Sequence, residues 1–257
     1  MTRDYLTYCA SVKPNRNLPA THEAILIRHM VRLFKLYDTF LLLVAADRSE
    51  VAYIFCRLII EVGIHLEFLM KKGDAKVFKE YQHASLAHDK KYLERMIQHH
   101  DRDARLGNLG PLKKEISLAF ERAGFQIPEI ADKPEWGGSF RDTFKKAQAV
   151  GAELEYNSVF RYSSHAVHGT WSDIEHFHIF HRGDTYLPKT SFKPVGPELL
   201  PGMAQYCQTV AMEYVVFMWV SNKNPLMEPL GGLGNWFHRA LEAYEEWKLL
   251  AKKKAIN

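Results

Sequence analysis

Cysteine is scarce in this chain: Cys9, Cys56 and Cys207 are the only three in 257 residues, and no two share a metal-ligand spacing. That excludes a cysteine-ligated zinc module and a disulfide framework, and predicts reduced packing residues of a cytoplasmic protein. Long hydrophobic runs are missing too. The longest, Thr39 to Ala46, is far short of the ~20 residues that cross a bilayer, and Glu213 interrupts Val210 to Val220. Residues 1–20 have no apolar centre, so no secretion signal and no membrane partner is expected. A dominant charge of one sign is absent as well. The 34 Lys and Arg against 30 Asp and Glu leave a net +4, which permits an anionic partner without the concentrated basicity of a dedicated nucleic-acid binder. There is no internal repeat. Gly231-Gly232-Leu233-Gly234 lacks both the Lys-Ser/Thr and the preceding strand of a phosphate loop, and no cofactor motif is found.

What the chain does have is helical periodicity. Residues 1–20, with Pro14 and Pro19, read as an irregular lead-in, and 21–257 as a single helical domain. Thr21 is a candidate N-cap for a helix over 21–46. Further helices are predicted over 49–72, 75–99, 112–123, 140–148 (capped by Ser139), 152–168, 203–222 and 235–253. The helix over 49–72 is the most apolar and is ended by Gly73. A β-hairpin about Arg182-Gly183-Asp184 is the one sheet expected, over roughly 176–187. The fold class is therefore mainly α: a helical bundle with one small hairpin.

The chemistry gathers in Tyr156 to His181, which holds five of the thirteen histidines. On a helix, Asn157, Arg161, Ser164, His165 and His168 share one side. A solvated stripe is usually written in better helix formers such as Glu, Lys and Gln. A second polar stripe, Arg57, Glu61 and His65 at i, i+4 and i+8, runs through the apolar helix over 49–72. Arg57 and Glu61 either pair within their own helix or line a site with Arg161 and His168, since a buried charge must be answered. The adjacent pairs His88-Asp89 and His100-Asp101 match His-Asp metal sites only superficially.

Three readings of the cluster stand. In the first, Arg161 and His168 lie nearly two turns apart and reach one phosphate. The imidazole takes the proton of a ribose 2′-hydroxyl, and the guanidinium binds phosphate oxygens as charge builds. That is a complete recipe, with no metal or cofactor, for cleaving RNA to a 2′,3′-cyclic phosphate and a 5′-hydroxyl. In the second, His165 and His168 join His176, His178, Asp173 or Glu175 about a metal, with His176 and His178 on one face of a strand. In the third, the cluster is a hydrogen-bonded polar seam in a non-catalytic helical module that binds a partner or a nucleotide.

The helical pattern with Arg161, Tyr162-Ser163-Ser164-His165-Ala166-Val167 and His168 resembles the HEPN superfamily, whose ribonucleases carry R-x4–6-H on a late helix. Where that pattern usually has a polar residue after the arginine, this chain has Tyr162. Over most of residues 21–221 the chain also resembles an uncharacterised bacterial family that pairs R-x-x-x-E, here Arg57 and Glu61, with S-x-x-x-H-G, here Ser164, His168 and Gly169. The HEPN resemblance implies a helical bundle, a metal-independent endoribonuclease of stress response or phage defence, and a homodimer that completes the site. Arg161 and His168 would be catalytic, with Asn157, Ser164, His165, Arg57 and Glu61 binding or orienting. RNA would be the substrate, and an antitoxin or regulator a further partner.

Overall fold

The computed structural model describes residues 2–11, 18–102, 108–131, 135–192 and 199–218. The helix expected over 235–253, the end of the one over 203–222 and the Gly231–Gly234 run lie outside them. Helix α3 (Ser49–Lys72) is the one the others pack against, although the helix over Leu199–Met218, with Glu213 as its only charged residue, and not α3, is the more apolar. Ala52, Cys56, Ile59, Ile60, Ile64, Leu66 and Leu69 are buried around all of it except the side that carries Arg57, Glu61 and His65, and so broad an apolar surface has to be enclosed by other helices. The preceding helix is α2 (Ala20–Ala45), joined to α3 by three residues. So short a connection folds the two back on each other as an antiparallel pair, the most extensive helix contact in the fold. Asp47 makes that turn at φ 53°, a left-handed conformation that aspartate adopts more readily than most residues. The N-cap of α2 is Pro19 rather than the expected Thr21.

The expected irregular lead-in is corrected. Residues Thr2–Ser11 form a helix, α1, whose Tyr5, Leu6 and Cys9 are buried in the main core. Its packing against α2 and the last described helix explains the order: Arg3 pairs with Asp38 at 2.6 Å, and Gln208 donates to the Thr2 hydroxyl at 2.6 Å. Ten residues are too few to hold a helix alone in water, so tertiary burial makes this one.

Helix α4 (Ala75–Arg102) starts against the main core through Phe78. Its second half forms a separate small core with α5 (Gly110–Ala123), from Leu86, Leu93, Ile116, Phe120 and Ile130. Helix α6 (Thr143–Val150) begins later than the expected residue 140 because Asp142 caps it, accepting from the Lys145 amide at 2.8 Å. Gly138–Phe140 form only a 3-10 turn, so Ser139 is not the cap. Next comes one continuous helical stretch: α7 (Glu153–Glu155), a π-helical turn over Tyr156–Phe160, and α8 (Arg161–His168). Gly169 ends it at φ 55°, the left-handed cap that glycine supplies without strain. A single turn, α9 (Trp171–Asp173), runs into a second π-helical turn over Ile174–His178. Strands β1 (Ile179–Arg182) and β2 (Thr185–Pro188) then pair antiparallel, with Arg182 opposite Thr185. The hairpin stands where the turn residues put it. It is shorter than 176–187 because His176 and His178 are helical.

Helix α10 (Leu199–Met218) closes the bundle over α3. The two cross at Gly63, where a Cβ would fall 2.3 Å from the Tyr206 phenol oxygen. The same phenol donates to the Ile60 carbonyl at 3.2 Å. The protein is thus mainly helical, with one two-stranded sheet among the described residues, and no described helix is long and apolar enough to cross a membrane.

One ionisable group inside the α3–α10 contact ties stability to pH. Glu67 is 5% exposed, and burial, followed by the nearby Glu213 carboxylate, pushes it up to about 8. Lys71 lies 2.8 Å from Glu213 but 3.8 Å from Glu67, so the lysine favours the former. At neutral pH Glu67 therefore keeps its proton. A carboxyl whose folded pKa lies above its unfolded value stabilises fully below about 4.5 and loses that contribution as pH rises towards 8. Thermal or urea midpoints should accordingly fall across that window in the native protein, and Glu67→Gln, a permanently neutral mimic, should flatten the decline. An unchanged pH slope in the variant would show that Glu67 ionises freely in the fold.

Candidate functional site

Helix α8 lies on the bundle with one side turned in and its chemistry turned out. Phe160 and Ser163 are buried, and Ser164 is half-buried. Asn157, Arg161, Tyr162, His165 and His168 are exposed. Three serines bond back to the carbonyl four residues earlier: Ser158 to Leu154 at 2.6 Å, Ser163 to Val159 at 2.6 Å and Ser164 to Phe160 at 2.7 Å. These bonds satisfy hydroxyls in or beside the packed face, and such back-bonding tends to bend a helix. The π-helical turn beginning at Tyr156 sits in the same segment, and π-bulges are frequent at functional sites.

The anchor of the face is Arg57 of α3. Its guanidinium donates to the Ser164 hydroxyl and stacks over the Phe160 ring, 4.4 Å from the centroid. The serine can take this bond because its own proton goes to the Phe160 carbonyl. The stripe Arg57, Glu61, His65 does not act as one unit. Arg57 turns to α8, whereas Glu61 and His65 turn to a cleft lined by Arg28, His29 and Arg32 of α2 and Tyr81 of α4. No Arg57–Glu61 ion pair is formed among the described residues. Of the sequence-predicted site residues, the structure therefore brings Arg57 and Ser164 into contact. It leaves Arg161, His168, His165 and Asn157 on the outer face, and sends Glu61 elsewhere.

Beside the outer face is a small cavity of about 80 Å³ between α3, α8 and the second π-helical turn. Tyr53, Tyr162, His165, Asp173 and Phe177 line it. Tyr53 and Tyr162 meet edge to face at 5.4 Å, and Tyr53 lies 6.2 Å from Phe177. His165 Nδ1 pairs with the Thr170 hydroxyl at 2.9 Å. Buried Asp173 lies 3.3 Å from His178 Nε2, and Glu175 lies 3.3 Å from His181 Nε2. The histidines are thus spread over separate partners. Among the described residues no three His, Cys, Asp or Glu side chains come together as a metal ion would need. His176 and His178 sit on a π-helical turn, not on the strand that the metal reading assumed.

Tyr53 and Thr170 were missed by sequence reasoning. Tyr53 had a signal, since it extends the polar stripe of α3 one turn towards its N-terminus, at i−4 from Arg57. Thr170 had none, because its contact depends on the sharp exit at Gly169. The expected outcome for the anchor is a coupling energy of about 1.5–3 kcal/mol between Arg57→Met and Ser164→Ala in a double-mutant unfolding cycle, the range for a hydrogen bond to a charged group. Additive losses would mean that the two side chains are neighbours without being partners. No curated protein and no solved structure matches the chain. A family model matches residues 23–186, from α2 into β2, and on that match the chain belongs to the DUF5677 family, a family of unknown function.

Proposed function

We propose that the protein is a metal-independent endoribonuclease of HEPN type, with Arg161 and His168 as its catalytic pair. The observation that carries this reading is their placement. Seven positions on a helix return to the same side within about 20°, both residues are exposed, and the helix is held from behind by Arg57 through Ser164 and Phe160. His168 would take the 2′-hydroxyl proton as that oxygen attacks the phosphorus, and Arg161 would stabilise the charge on the phosphate. The bond to the 5′-oxygen would break, that oxygen taking a proton from solvent and leaving as a 5′-hydroxyl. Asn157 and His165, exposed on the same segment, would position the RNA. The reaction needs no cofactor from this chain.

A homodimer fits the same face. Tyr162, Val167, Trp171 and Tyr186 are large apolar residues left exposed around it, with Trp171 against Tyr186 at 5.9 Å, and exposed apolar side chains near one another are characteristic of contact surfaces. A cytoplasmic nuclease of stress response or phage defence, restrained by an antitoxin or regulator, is the setting that the HEPN resemblance implies. The second reading, a non-catalytic nucleotide- or partner-binding module, is favoured by the Tyr53–Tyr162–Phe177 aromatic cluster, a surface on which a base could stack.

Purified protein should cut single-stranded RNA in the presence of EDTA and leave 2′,3′-cyclic phosphate ends. His168→Ala should lower the rate by ~10²–10⁴ and Arg161→Ala by ~10²–10³, with thermal midpoints nearly unchanged because both side chains are exposed. Activity lost in EDTA would reject the mechanism. RNA binding without cleavage, weakened by Tyr162→Ala, would put the binding module in its place.

A further inference from the structure

The cleft that receives Glu61 and His65 is separate from the outer face of α8, and the proposed nuclease makes no use of it. It measures about 180 Å³ and lies between α2, α3 and α4. Arg28 and Arg32 stand one turn apart on α2, both exposed at its mouth. Among the described residues neither has an ion-pair partner, and Glu61, half-buried in the opposite wall, has none either. His29, 5% exposed, lines the same cavity.

The protonation of this cleft is set by its surroundings. His29 Nδ1 lies 2.8 Å from the Ile25 carbonyl. A carbonyl only accepts, so Nδ1 carries the proton and Nε2 is left as a bare acceptor. Burial, and then the charges of Arg28 and Arg32, hold His29 down at about 4. Burial, followed by His29, Lys146 and Arg32, holds His65 down at about 3. Both rings are therefore neutral at physiological pH. Fixed charge at the cleft comes from Arg28 and Arg32, against the single carboxylate of Glu61; Lys146 lies outside the lining, 4.0 Å over the Trp136 ring, and burial pushes it down to about 8.

This polarity selects a ligand. The paired guanidiniums at the mouth call for an anion, and two of them one turn apart match the charge of a dianionic phosphoryl group better than that of a carboxylate. The interior offers acceptors, Glu61 and His29 Nε2, which repel a bare anion and require donors. One molecule answers both demands by carrying a phosphoryl group at one end and hydroxyls at the other. The volume is below the roughly 300–1,000 Å³ of drug-sized pockets, so a dinucleotide cannot enter whole. We propose that this cleft binds a hydroxylated phosphomonoester of about pentose-phosphate size, with the phosphoryl group on Arg28 and Arg32 and the hydroxyls on Glu61 and His29. The same chemistry is offered by a free sugar phosphate and by the 5′-phosphorylated end of an RNA chain.

Calorimetric titration of the full-length protein with ribose 5-phosphate, inorganic phosphate and ribose tests the assignment. Ribose 5-phosphate should bind at least tenfold tighter than either fragment. Arg28→Gln and Arg32→Gln, both at exposed positions, should each weaken it tenfold or more without altering the circular dichroism spectrum. Glu61→Gln should bring ribose 5-phosphate down towards inorganic phosphate while leaving inorganic phosphate unchanged or tighter. Arg161→Ala should leave binding intact, which keeps this result independent of the nuclease. A 5′-phosphorylated oligoribonucleotide that binds tighter than its 5′-hydroxyl counterpart, with the difference lost in Arg28→Gln, assigns the ligand to an RNA end, and no such difference assigns it to a free metabolite. No binding at millimolar concentration, binding no tighter than that of inorganic phosphate, or binding indifferent to both arginine substitutions would overturn the proposal.

Discussion

A guanidinium cannot shed its charge under any condition in which proteins fold, so Arg57 must be solvated wherever α3 puts it. It points into the contact with the α8 segment, and among the described residues no carboxylate reaches it. Its solvation is a serine hydroxyl and an aromatic face, both from that segment. Neither alone replaces water around a cation. Together they supply one charge-assisted hydrogen bond and a cation–π contact, the latter contributing about 0.5–2 kcal/mol depending on desolvation. The rotation of α8 about its axis depends on this anchor. With Ser164 and Phe160 held inward, Arg161, His165 and His168 have nowhere to go but out.

Part of this structure was legible in the sequence and part was not. The long helices and the hairpin were readable because apolar periodicity, Gly169 and the Arg182-Gly183-Asp184 turn each specify a local geometry. Helix α1 was not, since Thr2–Ser11 offers only Tyr5, Leu6 and Cys9 as an apolar face and owes its order to α2 and α10. The fate of the α3 stripe follows from simple geometry. Each i→i+4 step advances about 40° around a helix, so Arg57 and His65 differ by about 80° although they look aligned on paper. Arg57 faces α8. Glu61 and His65 have already turned to the cleft beside α2 and α4. A pattern read at four-residue spacing states that side chains are neighbours, but not that they share a destination.

The two π-helical turns were equally invisible, because a period of 3.6 describes neither. They matter for the site all the same. One precedes Arg161 and the other follows Asp173, so the histidine-bearing segment is bracketed by two places where the regular ladder of hydrogen bonds is broken. The wider turn at Tyr156–Phe160 brings Phe160 into the core with Arg57 stacked on it. The turn at Ile174–His178 buries Phe177 against Tyr53 and leaves His178 to meet Asp173. Irregular backbone costs stability unless tertiary packing holds it in place. Here each turn is held by one buried phenylalanine, and in both cases the ring it meets or the charge over it comes from α3.

Helix α3 consequently lies between two chemically different surfaces. On the α8 side it contributes Tyr53 and Arg57, and what they support is an exposed face with histidine and arginine available to a large ligand. On the α2–α4 side, about 6–12 Å beyond Arg57 along the axis at 1.5 Å per residue, it contributes Glu61 and His65 to an enclosed polar cleft. The surfaces share no side chain, since the residues between them are the apolar ones that bury the helix. Any influence of one on the other must therefore pass through a displacement of α3 itself. Gly63 opposes such a displacement, because Tyr206 lies directly against its backbone and bonds to the Ile60 carbonyl. A rigid helix clamped at its centre keeps the two surfaces energetically separate while fixing both to one frame. Occupancy of the cleft would then alter the stability of the whole bundle by mass action before it altered the geometry of the outer face.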